Sequence, residues 1–326
     1  MKARAAKDRS YFTSSAIPNS FLKLPRRWKE RAAVDEFTAG AIQSFGRRSD
    51  IFAATPLAAL PPMIPLNPSP PELSIIIPAF NEERRLPKTL ERIHAYLAAR
   101  NLRGEIVVVD DGSTDGTVPL IERARQLYPE LRLVSNGQNR GKGFSVRHGM
   151  LDARGELALF TDADLSAPID EADKLLAAIR EQGFDGAIGS RALDRNLIEV
   201  HQSRLRELAG IIFNRIVRWL TGTTFADTQC GFKAFRMSRA RPIFERQHVN
   251  GFGFDPEILF LAQRYGLRVA EVPVRWAHDP ATKVHVVRDS IHMLFDLVAA
   301  RWREMHGGYE RRARARAKAA ARMEEP

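Results

Sequence analysis

The sequence is poor in cysteine and in long apolar runs, and each shortage excludes a class of protein. One cysteine, Cys230, stands among 326 residues, so no disulfide can form within the chain, which suits a reducing compartment. No stretch reaches the ~20 apolar residues that a membrane-spanning helix needs. The apolar segment 51–66 contains four prolines, which a continuous helix does not tolerate. We therefore expect any contact with a membrane to be peripheral.

The body of the chain also lacks net charge. Lys and Arg outnumber Asp and Glu by 11 to 5 in residues 1–70 and by 8 to 4 in residues 301–326, but only by 31 to 30 in residues 71–300. A nearly neutral body offers no basic stripe that could follow a nucleic-acid backbone, so we expect no nucleic-acid partner. The two basic ends suit an anionic membrane surface, although solvated tails would have the same composition.

The hydrophobic pattern divides the chain into three parts. Residues 1–70 show no sustained periodicity, which predicts a poorly ordered basic extension. In residues 71–283, short β-branched runs alternate with amphipathic segments, which predicts an α/β domain with a mostly parallel sheet and helices on both faces. Residues 284–326 are read as an amphipathic helix and a basic tail. The predicted strands are 73–78, 106–109, 131–134, 156–161 and 185–190, and the helices between them are 86–99, 114–127, 143–153 and 169–182.

Three of these strands end in polar residues, at 79–82, 110–113 and 162–164. Ligands of a doubly wound sheet bind beyond the carboxyl ends of its strands, so we expect the three ends to meet at one edge. Asp162 and Asp164 then form a candidate site for Mg²⁺ or Mn²⁺, because these cations prefer oxygen ligands and bridge phosphates. Taken alone, the same pair fits an ordinary turn, and 110–113 fits a turn before a helix.

A glycine-flanked lysine lies between the second and third strand ends. Lys142 can meet a pyrophosphate as a point charge, and the glycines on either side allow the backbone to approach a ligand closely. The spacing differs from that of a P-loop.

These motifs, taken in order, resemble those of family 2 glycosyltransferases with the GT-A fold, a Rossmann-like nucleotide-sugar-binding fold. The segments that carry the resemblance are 76–82 (IIPAFNE), 109–115 (VDDGSTD), 140–143 (RGKG), 162–164 (DAD) and 189–191 (GSR). Three later segments, 227–233 (DTQCGFK), 253–257 (GFDPE) and 269–276 (VAEVPVRW), are similar to those of the dolichyl-phosphate β-glucosyltransferase branch.

The resemblance implies an inverting transfer of a hexose, from UDP-glucose, to a polyprenyl or dolichyl phosphate at the cytoplasmic side of a membrane. It assigns Asp162 and Asp164 to the metal. It assigns the nucleotide-sugar to Pro78, Ala79, Glu82, Asp110 and Asp162, and the strand-end and lysine motifs add Asn81, Asp111 and Lys142 to this set. Around the reacting sugar it places Asp164, Arg191, Asp227 and Gln229. The candidates for the acceptor phosphate are Arg204, Arg206, Lys233 and Lys283.

Other readings stay open at this point. Ser166 stands where mannosyl relatives commonly have glutamine, which disfavours GDP-mannose as the donor without excluding it. Transfer to a hydroxyl of another lipid or saccharide would need a catalytic base, whereas a phosphate acceptor is already anionic. A nucleotide-sugar-binding protein without turnover is the non-enzymatic alternative. The amphipathic segments 205–220 and 286–302 suit either a membrane surface or packing on the core.

Overall fold

A computed structural model of the protein describes residues 70–200, 204–277 and 286–310, and for 204–207 and 286–289 it describes the backbone alone. The described residues all belong to one compact unit. The predictions for the basic extension, for Lys283 and for the tail beyond residue 310 therefore concern residues that the structure does not describe.

Short apolar runs form the strands, as their β-branched residues predict. In the first strand every residue except Pro78 is buried, because helices cover both faces of the sheet. The strands of the described residues are β1 (Leu73–Ala79), β2 (Gly104–Asp110), β3 (Leu131–Ser135), β4 (Leu157–Phe160), β5 (Gly186–Ser190), β6 (Ile198–Val200), β7 (Lys233–Arg236), β8 (Val269–Pro273) and β9 (Trp276–Ala277).

Seven strands form one sheet in the order β3-β2-β1-β4-β7-β5-β8, and β6 pairs with β9 in a second, two-stranded sheet. Neighbouring strands from β3 to β4 run parallel, as do β5 and β8. β7 is antiparallel to both of its neighbours. The prediction of a mostly parallel sheet is confirmed. β7 was not predicted, because four residues with charged ends (Lys-Ala-Phe-Arg) give no apolar run.

Helices lie on both faces of the seven-stranded sheet. The α-helices of the described residues are α1 (Leu86–Ala99), α2 (Thr117–Ala124), α3 (Lys142–Asp152), α4 (Ala172–Arg180), α5 (Arg204–Thr221), α6 (Met237–Arg246), α7 (Phe254–Arg264) and α8 (Val286–Met305). The predicted positions of α1 to α4 are confirmed to within a few residues. Ile75 and Ile77 of β1 belong to a core with α1, α2 and α4, whereas Ile76 belongs to a core with α3, α6 and α7.

The two amphipathic helices α5 and α8 pack on each other through a small apolar cluster of Phe213, Val217, Met293 and Leu297. A second set of large apolar side chains on the same helices remains exposed to solvent. None of the helices within the described ranges combines the length and hydropathy of a bilayer span. The exposed set, called the apolar face below, consists of Leu208, Ile211, Ile212, Ile216, Trp219, Ile291, Phe295, Val298, Trp302 and Met305.

Candidate active site

The carboxyl ends of β1, β2 and β4 meet at one edge of the sheet, because these strands are parallel neighbours. Ala79 at the end of β1 lies opposite Asp110 at the end of β2. A cavity of about 330 Å³, called the donor cavity below, opens at this edge. The predicted nucleotide-sugar residues that line it are Pro78, Ala79, Glu82, Asp111, Lys142 and Asp162, and Asp164 joins them.

Asp162 and Asp164 lie in the turn that follows β4, with Leu165 at a positive φ of 48°. The Lys142 ammonium is 2.5 Å from Asp162 Oδ1. Asp164 Oδ1 accepts the Ser166 amide at 2.9 Å. Burial raises the pKa of Asp164, and the charge of Asp162 adds to the effect. Burial alone would lower the pKa of Lys142, but nearby carboxylates, Asp162 foremost, outweigh it and raise that pKa.

The cavity thus presents two carboxylates beside a lysine, which is a donor set for a hard cation and a diphosphate. No group of three or more His, Cys, Asp or Glu side chains is arranged to hold a metal in the part of the chain that the structure describes. Asp162 and Asp164 would therefore supply two oxygen ligands, and a bound Mg²⁺ or Mn²⁺ would take the rest from a ligand or water.

Asp110, Asp111 and Asn81 accept hydrogen bonds from backbone amides around the cavity. Asp110 accepts the amides of Gly112 and Ser113, both at 3.1 Å. Asp111 accepts the Arg140 and Gly141 amides at 2.9 and 2.8 Å and the Asn136 amide group at 2.7 Å. Asn81 accepts the Thr114 amide at 2.8 Å, and its own backbone amide donates to Ser113 Oγ. Each of the adjacent carboxylates at the end of β2 therefore fixes a different loop, and Asp111 also borders the donor cavity.

A second cavity of about 270 Å³, called the arginine cavity below, contains the predicted residues Arg191, Asp227 and Gln229. Arg191 forms a bidentate ion pair with Asp227, in which Nε is 2.6 Å from Oδ2 and Nη2 is 2.9 Å from Oδ1. Burial acts to raise the pKa of Asp227, but the Arg191 charge and hydrogen bonds outweigh it and lower that pKa to about 2. A carboxylate held in this way is a weak base. The other arginines of the cavity are Arg195, Arg215 and Arg218.

The two cavities share the loop that precedes β7. Asp227 and Gln229 line the arginine cavity, while the backbone of Gly231 lies against the Asp162 carboxylate. A Cβ atom at residue 231 would stand 2.5 Å from Asp162 Oδ2, so only glycine fits there without a shift. The candidate metal site and the arginine cavity are therefore joined by five residues of chain.

Comparison with known proteins shows the family of this chain. The family model "Glycosyl transferase family 2" matches residues 74–241. The chain belongs to glycosyl transferase family 2. Among its curated relatives, a dolichyl-phosphate beta-glucosyltransferase of Trichomonas vaginalis is 36% identical over 243 residues, 71% of each chain. The protein of that name in Saccharomyces cerevisiae is 36% identical over 254 residues, 73% of this chain and 76% of the relative.

Solved structures of more distant glycosyltransferases share the GT-A fold. Glucosyl-3-phosphoglycerate synthase from Mycobacterium tuberculosis, solved with Mn²⁺, UDP-glucose and phosphoglyceric acid, has 19% identity and a TM-score of 0.51 over 70% of this chain and 79% of its own. Mannosyl-3-phosphoglycerate synthase from Rubrobacter xylanophilus has 22% identity and a TM-score of 0.54 over 73% and 75%. The predicted family and fold of this glycosyltransferase are confirmed.

The predicted acceptor-phosphate candidates of the glycosyltransferase need correction. Lys233 has no exposed surface, and its ammonium donates to Cys230 O and Asp255 Oδ1, each at 2.5 Å. An ammonium enclosed in this way cannot meet a substrate phosphate, so that assignment is wrong. Arg204 and Arg206 begin α5, where the backbone alone is described. Arg195 of the arginine cavity is not among the predicted candidates, because its meeting with α5 depends on how that helix packs on the domain.

The glycines beside Lys142 have a packing role that the sequence pattern did not predict. A Cβ atom at Gly141 would stand 2.5 Å from Asn250 O, and one at Gly143 would stand 2.6 Å from Val249 O. Both glycines therefore allow close approach of a neighbouring protein segment, and Gly141 also borders the donor cavity. No local pattern near residue 142 predicts the contact with residues 249 and 250, because they lie more than 100 residues further along the chain.

Proposed function

We propose that this family 2 glycosyltransferase transfers glucose from UDP-glucose to a dolichyl or related polyprenyl phosphate at the cytoplasmic surface of a membrane. The observation that carries the proposal is the pairing of two cavities across one short loop. One cavity holds carboxylates and a lysine suited to a diphosphate, and the other holds arginines suited to a phosphate. The curated relatives named dolichyl-phosphate beta-glucosyltransferase support the choice of substrates.

On the donor side, Asp162 and Asp164 would hold Mg²⁺ or Mn²⁺, and Lys142 would contact the diphosphate. Both carboxylates line the donor cavity, and carboxylate oxygens are the ligands that Mg²⁺ and Mn²⁺ prefer, so the residues present fit a divalent cation. When bound, the metal offsets the charge that develops on the departing diphosphate. A structural neighbour with Mn²⁺ and UDP-glucose supports this choice. Pro78, Ala79 and Glu82 would border the nucleoside.

On the acceptor side, the arginine cavity would bind the lipid phosphate. Guanidinium groups form charge-assisted, often bidentate hydrogen bonds with phosphate oxygens, and Arg215 and Arg218 project from one helix into this cavity. Asp227 holds Arg191 in place by two hydrogen bonds and would orient it toward the reacting sugar. A phosphate oxygen is anionic at neutral pH and needs no proton acceptor. The low pKa of Asp227 agrees with a site that works without a general base.

The apolar face would rest on the bilayer from which the acceptor comes. Trp219 beside Arg218 on α5, and Trp302 beside Arg301 on α8, combine aromatic and basic residues as interfacial helices do. Trp219 is 83% exposed and Phe295 is 70% exposed, which is unfavourable in water for side chains of this size. Peripheral attachment through these helices would bring the arginine cavity to the lipid phosphate, since Ile211 belongs to both surfaces.

The test is a transfer assay with the full chain, vesicles containing polyprenyl phosphate, and labelled UDP-glucose or GDP-mannose. We expect an acid-labile glycolipid from UDP-glucose that requires Mg²⁺ or Mn²⁺. Equal or better transfer from GDP-mannose would reject UDP-glucose as the donor. Transfer to a hydroxyl-bearing lipid but not to the phosphate would reject the acceptor, and donor binding without any transfer would indicate a non-catalytic protein.

A further inference from the structure

A segment more than 100 residues further along the chain packs against the loop that carries Lys142. Residues 247–251 connect α6 to the loop before α7 and lie directly against the glycines on either side of Lys142. The Phe144 amide donates to Asn250 O at 3.1 Å. Gln247 Nε2 donates to Gly143 O at 2.8 Å and to Val249 O at 2.9 Å. The start of α3, which carries Lys142, is therefore hydrogen-bonded to this segment, called the support segment below.

Glu257 in turn fixes the support segment. Its side chain has no exposed surface. The carboxylate accepts the His248 amide at 3.0 Å and the Val249 amide at 2.8 Å. A buried carboxylate is costly to desolvate unless several donors satisfy it. Because these donors are backbone amides of the support segment, a movement of the segment would break its hydrogen bonds with the carboxylate.

Another partner of Glu257 comes from the helical residues 308–310, which follow the turn after α8. Tyr309 is 1% exposed, and its hydroxyl donates to Glu257 Oε1 at 2.9 Å. The Tyr309 ring also contacts the His248 ring edge-on, with centroids 5.3 Å apart. A continuous series of contacts thus joins the C-terminal end of α8 to the support segment and, through it, to the Lys142 loop. α8 is also one of the two helices that present the apolar face.

We propose that Glu257 and Tyr309 are positioning residues of the donor site, which hold the Lys142 loop in its binding geometry by fixing the support segment. The donor readout rests on the proposed nucleotide-sugar site, whereas the series of contacts does not. Neither residue borders the donor cavity, so each acts through the support segment. A consequence is that the packing of α8 on the domain influences the affinity for the nucleotide-sugar.

The chain offers a matched pair of variants for the test. Tyr309→Phe removes the hydroxyl that binds Glu257 and keeps the buried ring. Tyr265→Phe removes a hydroxyl that binds Glu310 Oε1 at 2.6 Å on the exposed side of the same region. Both variants lose one tyrosine–glutamate hydrogen bond near residues 309 and 310, but only the first loses a hydrogen bond to the residue that fixes the support segment. Glu257→Gln provides an independent variant, because an amide offers one acceptor oxygen where the carboxylate offers two.

The measured quantities are the KM for UDP-glucose, the KM for polyprenyl phosphate, and amide exchange at Phe144 and Val249. In Tyr309→Phe and Glu257→Gln we expect the donor KM to rise about threefold to tenfold, because a loosened loop is binding-competent for less of the time. We expect the acceptor KM to stay within about twofold, because the arginine cavity keeps its contacts. Exchange at both amides should be faster by a similar factor, and Tyr265→Phe should match the wild type in all three.

An unchanged donor KM in Tyr309→Phe would overturn the proposal, as would equal rises in both KM values, which indicate general loosening. Unchanged exchange at Phe144 would overturn the series of contacts itself. If the wild type transfers no glucose, the proposed function fails by itself, and the exchange comparison with Tyr265→Phe still supports or overturns the link to the Lys142 loop.

Discussion

The substitution Asp164→Asn should separate catalysis from folding in this glycosyltransferase. The asparagine amide oxygen would keep an acceptor for the Ser166 amide, which now lies 2.9 Å from Asp164 Oδ1, so the turn after β4 should persist. The substitution removes one of two negative charges offered to the cation. Loss of one such electrostatic contact in a site of developing charge costs about 3 to 4 kcal/mol, or roughly 10² to 10³ in rate. We expect a loss of this size in transfer from UDP-glucose.

The same substitution should increase the stability of the folded protein at neutral pH, although it lowers the transfer rate. Burial raises the pKa of Asp164 above its ordinary value, so ionisation costs the folded state more than the unfolded state. The stabilisation from this group is complete below the unfolded pKa and is lost as pH rises through the raised folded pKa. Asparagine does not ionise, so without metal Asp164→Asn should unfold at a higher temperature than the wild type at neutral pH, and this advantage should disappear in acid.

The assay is initial transfer rate against Mn²⁺ concentration, together with thermal unfolding in chelator at neutral and acid pH. Asp170→Asn is the control, because Asp170 is a half-exposed carboxylate that forms a longer, 3.4 Å ion pair with Arg100. It should leave the transfer rate unchanged. Wild-type rates in Asp164→Asn at every metal concentration would refute the reasoning about the metal. A lower unfolding temperature at neutral pH would refute the reasoning about burial.

Three further predictions concern separate parts of the site. Lys142→Met should lower kcat/KM for UDP-glucose by about 10- to 100-fold, the worth of a charged hydrogen bond, and steady-state kinetics would contradict this if only the acceptor KM moved. Gly231→Ala should weaken Mn²⁺ activation by about tenfold or more, because the new Cβ would stand 2.5 Å from Asp162 Oδ2. An unchanged Mn²⁺ titration would contradict the role of the loop before β7 in positioning Asp162. Trp219→Ala should reduce flotation with anionic vesicles, since burying half of a ~200 Å² indole contributes about 2.5 kcal/mol. Leu127→Ala, at a side chain 74% exposed on another part of the surface, should float like the wild type, and equal losses in both variants would contradict docking through the apolar face.

A fifth prediction concerns pH. If Asp164 binds the metal as proposed, protons compete with the metal for a carboxylate whose pKa is raised by burial, so activation by Mn²⁺ should weaken as pH falls through that raised value. The apparent Mn²⁺ constant, measured in a pH series, should therefore increase toward acid. A constant that stays level across the acid range would show that Asp164 is not a ligand.

The sequence by itself determined the layered fold and the place of the donor cavity. Short β-branched runs that alternate with amphipathic segments can bury their apolar faces only as a parallel sheet between helices. In such a sheet the ends of β1, β2 and β4 reach the same edge. The grouping of Glu82, Asp111, Asp162 and Lys142 therefore followed from the pattern of residues before any distance was known.

The tertiary structure alone decided what each polar group does there. β7 enters the sheet antiparallel and encloses Lys233 against Asp255, although a lysine in that motif reads as a ligand of phosphate. Glycines beside Lys142 lie against the support segment, and Tyr309 reaches Glu257 across 52 residues of chain. Contacts between distant segments leave no periodic or local signal in a sequence, because their geometry depends on how whole helices and strands pack together.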